Sequence, residues 1–186
     1  KHGQNAELRQ KGKIATLALG YQGGVGALKA MGGERMGLNE DEMKNIVRMW
    51  RSSNKKIVEL WATLEKAVTR TLTTGRPTKV NWGITYSMHF GFLHCTLPSG
   101  RSIVYPRAKM IPWEDGMRIS YERTNQETHK WERIETYGGK LTENVVQAIA
   151  RDILAVVMLR CEKAGLPIVF HVHDEVIIDA PKDREL

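Results

Sequence analysis

Arg9, Lys13, Leu17 and Tyr21 fall four residues apart, so on an α-helix they line one slowly drifting face. Two cations followed by an apolar residue and an aromatic suit a ligand that is anionic at one end and flat at the other. Guanidinium and ammonium take phosphates, while the apolar and aromatic groups pack on sugar and base. A nucleoside triphosphate has that shape. The same spacing also describes an exposed helix with basic residues at i and i+4, and spacing leaves both readings open. The glycine-rich stretch that follows is not a phosphate loop. Gly20 is not followed five residues on by Gly-Lys, and Gly24-Val25-Gly26 leads to Lys29 where a third glycine is required.

Asn144, Gln147 and Arg151 are spaced by three and four and line one polar stripe on a segment otherwise rich in Val, Ile, Leu and Ala. Such a stripe must meet water, a partner or buried hydrogen-bonding groups. Amides reach base edges or sugars and Arg holds phosphate; the solvent side of a core helix is the equal alternative. A third constellation, His171-Val172-His173-Asp174-Glu175, sits between Ile168-Val169-Phe170 and Val176-Ile177-Ile178. Two β-branched runs separated by about two polar residues predict a tight hairpin. Its turn has no glycine, so side chains are kept there at a conformational cost. Acidic groups fixed at a hairpin tip suit a hard divalent cation with oxygen ligands. His171 and His173 alternate onto one strand face and offer a zinc alternative that lacks a third ligand in convincing spacing. A plain charged turn on an edge hairpin is the other alternative, although the flanking apolar runs look like core strands.

The elements that must carry these residues follow from local signals. A helix is predicted from about Asn5 to Leu19, stopped by the glycines of 20–26. Asn39, three residues before Glu42, is a capping-box start for a helical stretch to about Thr74 with a break near Ser52-Ser53-Asn54. Within it Ile57, Leu60, Trp61, Leu64 and Val68 form a buried stripe, and Gly75 and Pro77 end it. Leu93–Leu97 and Arg101–Tyr105 flank a Pro98-Ser99-Gly100 turn, a hairpin signal. Met117–Glu122 and Thr128–Tyr137 predict a second strand pair around Asn125-Gln126. From about Leu141 to Ala164 the chain is apolar around most of its circumference, which predicts a helix buried by its neighbours. Ile168–Val172 and Glu175–Ile178 are the last strands. Helices, then strands, then one helix on a hairpin make an α+β fold.

With 28 Lys and Arg against 21 Asp and Glu, the net charge of +7 favours acidic partners, nucleic acid before anionic membranes, although a solvated basic surface has the same balance. Cys95 and Cys161 fit no CxxC spacing and read as two reduced thiols of a cytosolic protein. No apolar run approaches a membrane span, and Lys1-His2-Gly3-Gln4 is not a signal peptide. Without an initiator Met and starting in helix-like sequence, the chain looks excised from something longer.

In this order the three segments resemble the DNA polymerase I family (family A) in its bacteriophage form. The family's finger helix carries Arg-x3-Lys-x3-(Phe or Tyr)-x3-Tyr, and Arg9, Lys13, Leu17 and Tyr21 stand at the matching offsets. Its palm hairpin bears His-Asp-Glu, here His173-Asp174-Glu175 in HVHDEVIIDAP. Gly138-Gly139-Lys140-Leu141-Thr142-Glu143-Asn144 with Val146-Gln147 is similar to the palm helix before that hairpin in phage-type members. The likeness spans nearly the whole chain and is slightest in the strand-rich middle. It implies helical fingers over 1–78 and a palm over 79–186, with strands, a buried helix and the catalytic hairpin. It implies a DNA-directed DNA polymerase, a nucleotidyltransferase of DNA replication that adds deoxynucleoside monophosphates from dNTPs to a primer 3′ end. Arg9 and Lys13 would contact the incoming triphosphate, Leu17 its sugar and base, and Tyr21 the templating base pair. Gln147, with Asn144 and Arg151, would touch primer–template DNA. His173 would lie near the primer terminus, and Asp174 with Glu175 would bind Mg²⁺ in a two-metal site.

Two departures bear on this. Leu17 replaces the family's usual aromatic, so stacking and sugar discrimination do not carry over. The family's other metal-binding aspartate lies upstream of the finger helix, whereas this chain starts eight residues before Arg9, and Asp183-Arg184-Glu185-Leu186 ends it before the family's last helix and strand. The expectation is an incomplete metal site and no polymerase activity by this chain alone. A non-catalytic nucleic-acid-binding remnant and a metal-dependent nuclease are the competing readings. The expected setting is the cytoplasm of a bacterial host, without membrane contact; nothing in the sequence speaks to oligomeric state.

Overall fold

Asn39 starts its helix through a reciprocal pair of hydrogen bonds: Glu42 N donates to Asn39 Oδ1 (2.9 Å) and Asn39 N to Glu42 Oε2 (2.8 Å). Together with Glu40 and Asp41 in the first turn, the box satisfies orphan amides and opposes the positive end of the helix dipole. In the computed structural model, which describes residues 5–114 and 116–180, this helix is α3 (Glu40–Ser53), after α1 (Ala6–Leu19) and α2 (Val25–Ala30). The chain ends weighed above, Lys1–Gln4 and Asp183–Leu186, lie outside the described residues. At Asn54 the backbone leaves helical geometry (φ −117°, ψ 45°) and the side-chain amide donates to Trp50 O at 2.8 Å. α4 (Lys55–Thr74) then continues to Gly75, whose φ of 68° closes the helix in the left-handed region.

Two antiparallel meanders follow. β1 (Thr78–Lys79), β2 (Thr85–His89), β3 (Phe92–Thr96) and β4 (Ser102–Tyr105) form a sheet in chain order, and β5 (Lys109–Trp113), β6 (Gly116–Thr124) and β7 (Trp131–Thr136) form another. α5 (Gly138–Lys163) and the hairpin β8 (Ile168–Val172) and β9 (Glu175–Ile178) complete the chain. The fold is α+β. No described helix is long and apolar enough to cross a membrane.

Two cores hold these elements. Leu64, Ala67 and Val68 of α4 pack with Tyr86, Leu93, Cys95 and Tyr105 of the first sheet, Ile119 and Tyr121 of the second, and Leu141 and Val145 of α5. Ala18 and Leu19 of α1, Leu28 of α2 and Met43 of α3 make the other. In the expected α4 stripe, Trp61, Leu64 and Val68 are buried, while Ile57 and Leu60 are half-buried.

Two expectations need correction. α5 is not buried along its length: Leu141, Val145 and Leu154 are, but Ile153, Val156, Val157 and Leu159 are exposed. The hairpin strands are not core strands either, since Val169, Phe170, Val172 and Ile177 are exposed. An apolar pattern shows that a segment can be buried, but burial needs a neighbouring element, and β8, the strand that packs on α5, leaves these residues of the helix exposed.

Cys95 is fully buried, and that burial pushes its thiol up to about 11, whereas Cys161 is half-buried. Only thiolate reacts with disulfide reagents. A chromogenic disulfide at pH 8 should therefore titrate one thiol per native chain, Cys161, and the second only after denaturation. Rapid release of two thiols from native protein would contradict the buried placement of Cys95.

Candidate functional site

α1 presents Arg9, Lys13 and Leu17 to solvent, with Leu17 52% exposed. Among the described residues neither cation has an ion-pair partner. The end of α1 is held firmly. Ala18 and Leu19 enter the second core, Trp61 Nε1 donates to Gly20 O (3.1 Å), and Arg51 Nη2 donates to Gly23 O (3.1 Å). The half-buried Tyr21 and Gln22 meet the first turn of α5.

That meeting is close. Gln22, in the left-handed region at φ 70°, accepts at its Oε1 from Gly139 N at 2.8 Å, and Glu65 Oε2 accepts from Gly138 N at 3.0 Å. Two amides at the start of α5, which have no partner within the helix, are thus satisfied by side chains from α4 and the α1–α2 loop. A Cβ on Gly139 would sit 2.1 Å from Tyr21 O, and one on Gly138 would sit 2.3 Å from Trp61 O. Only glycine allows this approach. No motif or spacing in the sequence marks Gln22, Glu65 or Arg51, and Trp61 reads there as core only. The Gly138-Gly139 pair at a helix start was the available signal.

Along α5, Asn144, Gln147 and Arg151 do share one face, and all three line an open groove of about 590 Å³. Gln147 and Arg151 are exposed, while Asn144 Nδ2 donates to Tyr105 Oη at 3.1 Å. Burial raises the Tyr105 hydroxyl above the usual phenol range, with the Asn144 hydrogen bond pulling the other way. Tyr105 therefore stays a neutral hydroxyl, and Asn144 is half committed to the fold.

After α5 the chain turns back, and β8 packs on that helix. Val172 pairs with Glu175, leaving His173-Asp174 as a two-residue turn with His173 at φ 51°. A β-turn residue with a Cβ pays conformational energy in this region, as the glycine-free sequence predicted. His173, Asp174 and Glu175 are all exposed. Among the described residues no group of three His, Cys, Asp or Glu side chains could hold a metal ion. Asp174 and Glu175 offer hard oxygen ligands, but the described donor set does not fit a two-metal centre, and the His171–His173 pair gains no third zinc ligand. Nor, among the described residues, do Arg9 and Lys13 of α1 make ion-pair contact with the carboxylates of the tip. The α1–α2 loop meets α5 at its first turn, and the hairpin follows its last.

No family model matches the chain, and no solved structure matches it. The sequence is 44% identical over 182 residues, 97% of this chain, to a protein named DNA polymerase from Bacillus phage SP02. The chain spans 28% of that relative's length. By sequence it is similar, nearly end to end, to one segment of a phage DNA polymerase.

Proposed function

We propose that this chain is the fingers and part of the palm of a family A DNA-directed DNA polymerase, which extends a primer 3′ end from dNTPs during replication. The observation that carries the reading is the exposed cationic face of α1, fixed at its Tyr21 end against the helix that leads to the His173-Asp174-Glu175 tip. Arg9 and Lys13 would hold the triphosphate as charge-assisted donors, and Leu17 would pack beside the sugar without aromatic stacking. Tyr21 would stand at the templating base pair, His173 near the primer terminus. The reaction is in-line attack of the primer 3′-oxygen on the α-phosphorus, releasing pyrophosphate. Asp174 and Glu175 would give Mg²⁺ part of its oxygen shell. The described residues do not complete that shell, so we expect no primer extension from the 186-residue chain by itself.

Nucleotide binding tests the reading without requiring turnover. Arg9→Ala and Lys13→Ala should each weaken dNTP binding about tenfold or more by calorimetry, with binding to primer–template DNA largely retained. Unchanged dNTP affinity in both variants would favour a passive nucleic-acid binder. Primer extension by the purified chain, lost in Asp174→Ala, would refute the expected inactivity. Mg²⁺-dependent cleavage of labelled DNA would instead support the nuclease reading.

A further inference from the structure

The groove beside α5 has a second wall, built by strands that the polymerase reading leaves without a role. Opposite Asn144, Gln147 and Arg151, it is lined by Arg123 of β6 and Trp131 of β7. Trp131 is 59% exposed, yet its ring is held in place. Its Nε1 donates to Glu122 Oε2 at 3.0 Å, and Glu122 is also paired with Arg133 (2.8 Å) and Arg107 (3.3 Å). The Trp131 hydrogen bond and then the two guanidiniums hold the Glu122 carboxyl below its usual range, so it is ionised at neutral pH and its charge is already compensated. Arg133 is fixed further by donating to Arg107 O (3.0 Å) and Ser120 Oγ (3.1 Å). An indole immobilised this way loses little rotamer freedom when something packs on it.

The cations divide into committed and uncommitted. Arg101 is neutralised by Asp152 at 2.6 Å and donates to Ala148 O at 2.7 Å. Arg123 is different: it lines the groove, and among the described residues no hydrogen bond or ion pair commits its guanidinium. Arg151 is exposed and has no ion pair among the described residues. The groove therefore combines two uncommitted guanidiniums, a fixed aromatic face and an exposed amide. Phosphates spaced along a strand with stacking surfaces between them match that set.

Resting on the polymerase reading above, we propose that the β6–β7 hairpin is a DNA-binding element. Trp131 packs flat on a base or sugar, and Arg123 holds a phosphate of the strand that α5 contacts through Gln147 and Arg151. An acidic peptide would satisfy the cations but does not pair every anionic group with a stacking base, as a nucleic-acid strand does.

The test uses the whole chain and a fluorescein-labelled primer–template, with anisotropy read across a salt series. Trp131→Ala should weaken DNA binding about tenfold, with Trp131→Phe recovering most of it. Arg123→Gln should lower the log–log salt slope by about 1. Poly-glutamate should compete far less well than unlabelled DNA. Thermal midpoints matching the parent establish folding, and Trp131→Leu, which keeps apolar bulk but removes the planar face, decides the matter with Arg123→Gln if the alanine variant does not fold. DNA affinity of Trp131→Ala or Trp131→Leu within twofold of the parent, together with an unchanged salt slope in Arg123→Gln, would overturn the groove alone, provided that Arg9 and Lys13 variants still lose dNTP. Equal competition by poly-glutamate would also overturn it, and failure of the parent chain to bind DNA would sink both readings.

Discussion

Gly139→Ala is expected to destabilise the chain by about 3 kcal/mol or more, lowering its thermal midpoint by roughly 6–12 °C, although alanine is the better helix former. Two effects oppose each other at this position. Helix propensity favours alanine by about 1 kcal/mol. Against that, the new Cβ would lie 2.1 Å from Tyr21 O and 2.6 Å from Gln22 Cβ, and both neighbours are anchored. Gln22 would have to surrender its bond to Gly139 N, and Tyr21 would move with the end of α1. The steric term therefore wins, and dNTP affinity should fall with stability. Gly12 supplies the contrast, because a Cβ there meets nothing within 4 Å inside α1. Gly12→Ala should stabilise by about 1 kcal/mol. Urea unfolding of both variants separates the effects; if Gly139→Ala matched or exceeded the parent in stability, the close approach of α1 and α5 would be wrong.

Trp61→Ala should cost about 4 kcal/mol, and Trp61→Phe about 1 to 2 kcal/mol. Trp61 is 3% exposed, and its ring lies parallel to Trp50 with centroids 6.0 Å apart. Its indole N–H reaches Gly20 O on the far side of the loop that ends α1, and its own carbonyl faces Gly138. Phenylalanine keeps most of the apolar surface but leaves the Gly20 carbonyl without this donor. The phenylalanine variant therefore reports the tether, and the further loss in the alanine variant reports the packing. If the tether positions α1, Trp61→Phe should weaken dNTP binding while DNA affinity holds. Equal losses of stability in the two variants would mean that the hydrogen bond carries the whole effect and the packing none.

Much of the fold was legible from local signals. The Asn39–Glu42 box, the break at Asn54, the Gly75 stop and the last hairpin, Ile168–Val172 with Glu175–Ile178, stand where their residues predict. Each depends on groups within a few positions of one another. The strands that sequence reasoning passed over were the weakly marked ones. β1 is two residues long, and β5 contains Pro112, which an edge strand tolerates because its N–H is not needed there. β2 begins just after a glycine-containing turn at Asn81–Gly83, with Trp82 at φ 62°, which obscures its start. The common face of Asn144, Gln147 and Arg151 was readable from spacing, but the wall opposite it was not, because β6 and β7 reach that place through sheet pairing.

The sequence alone determined which residues could act as phosphate donors, amide readers and acidic tip, and which helices and hairpins would carry them, because helix periodicity, caps and turns are short-range. Tertiary structure decided that the end of α1 is locked onto α5 across 117 residues of chain, that Trp131 faces the α5 stripe, and that the far half of α5 and its hairpin stay exposed. Those outcomes turn on which surfaces meet when the chain closes on itself, and close packing between distant segments leaves no signature in the spacing of either one.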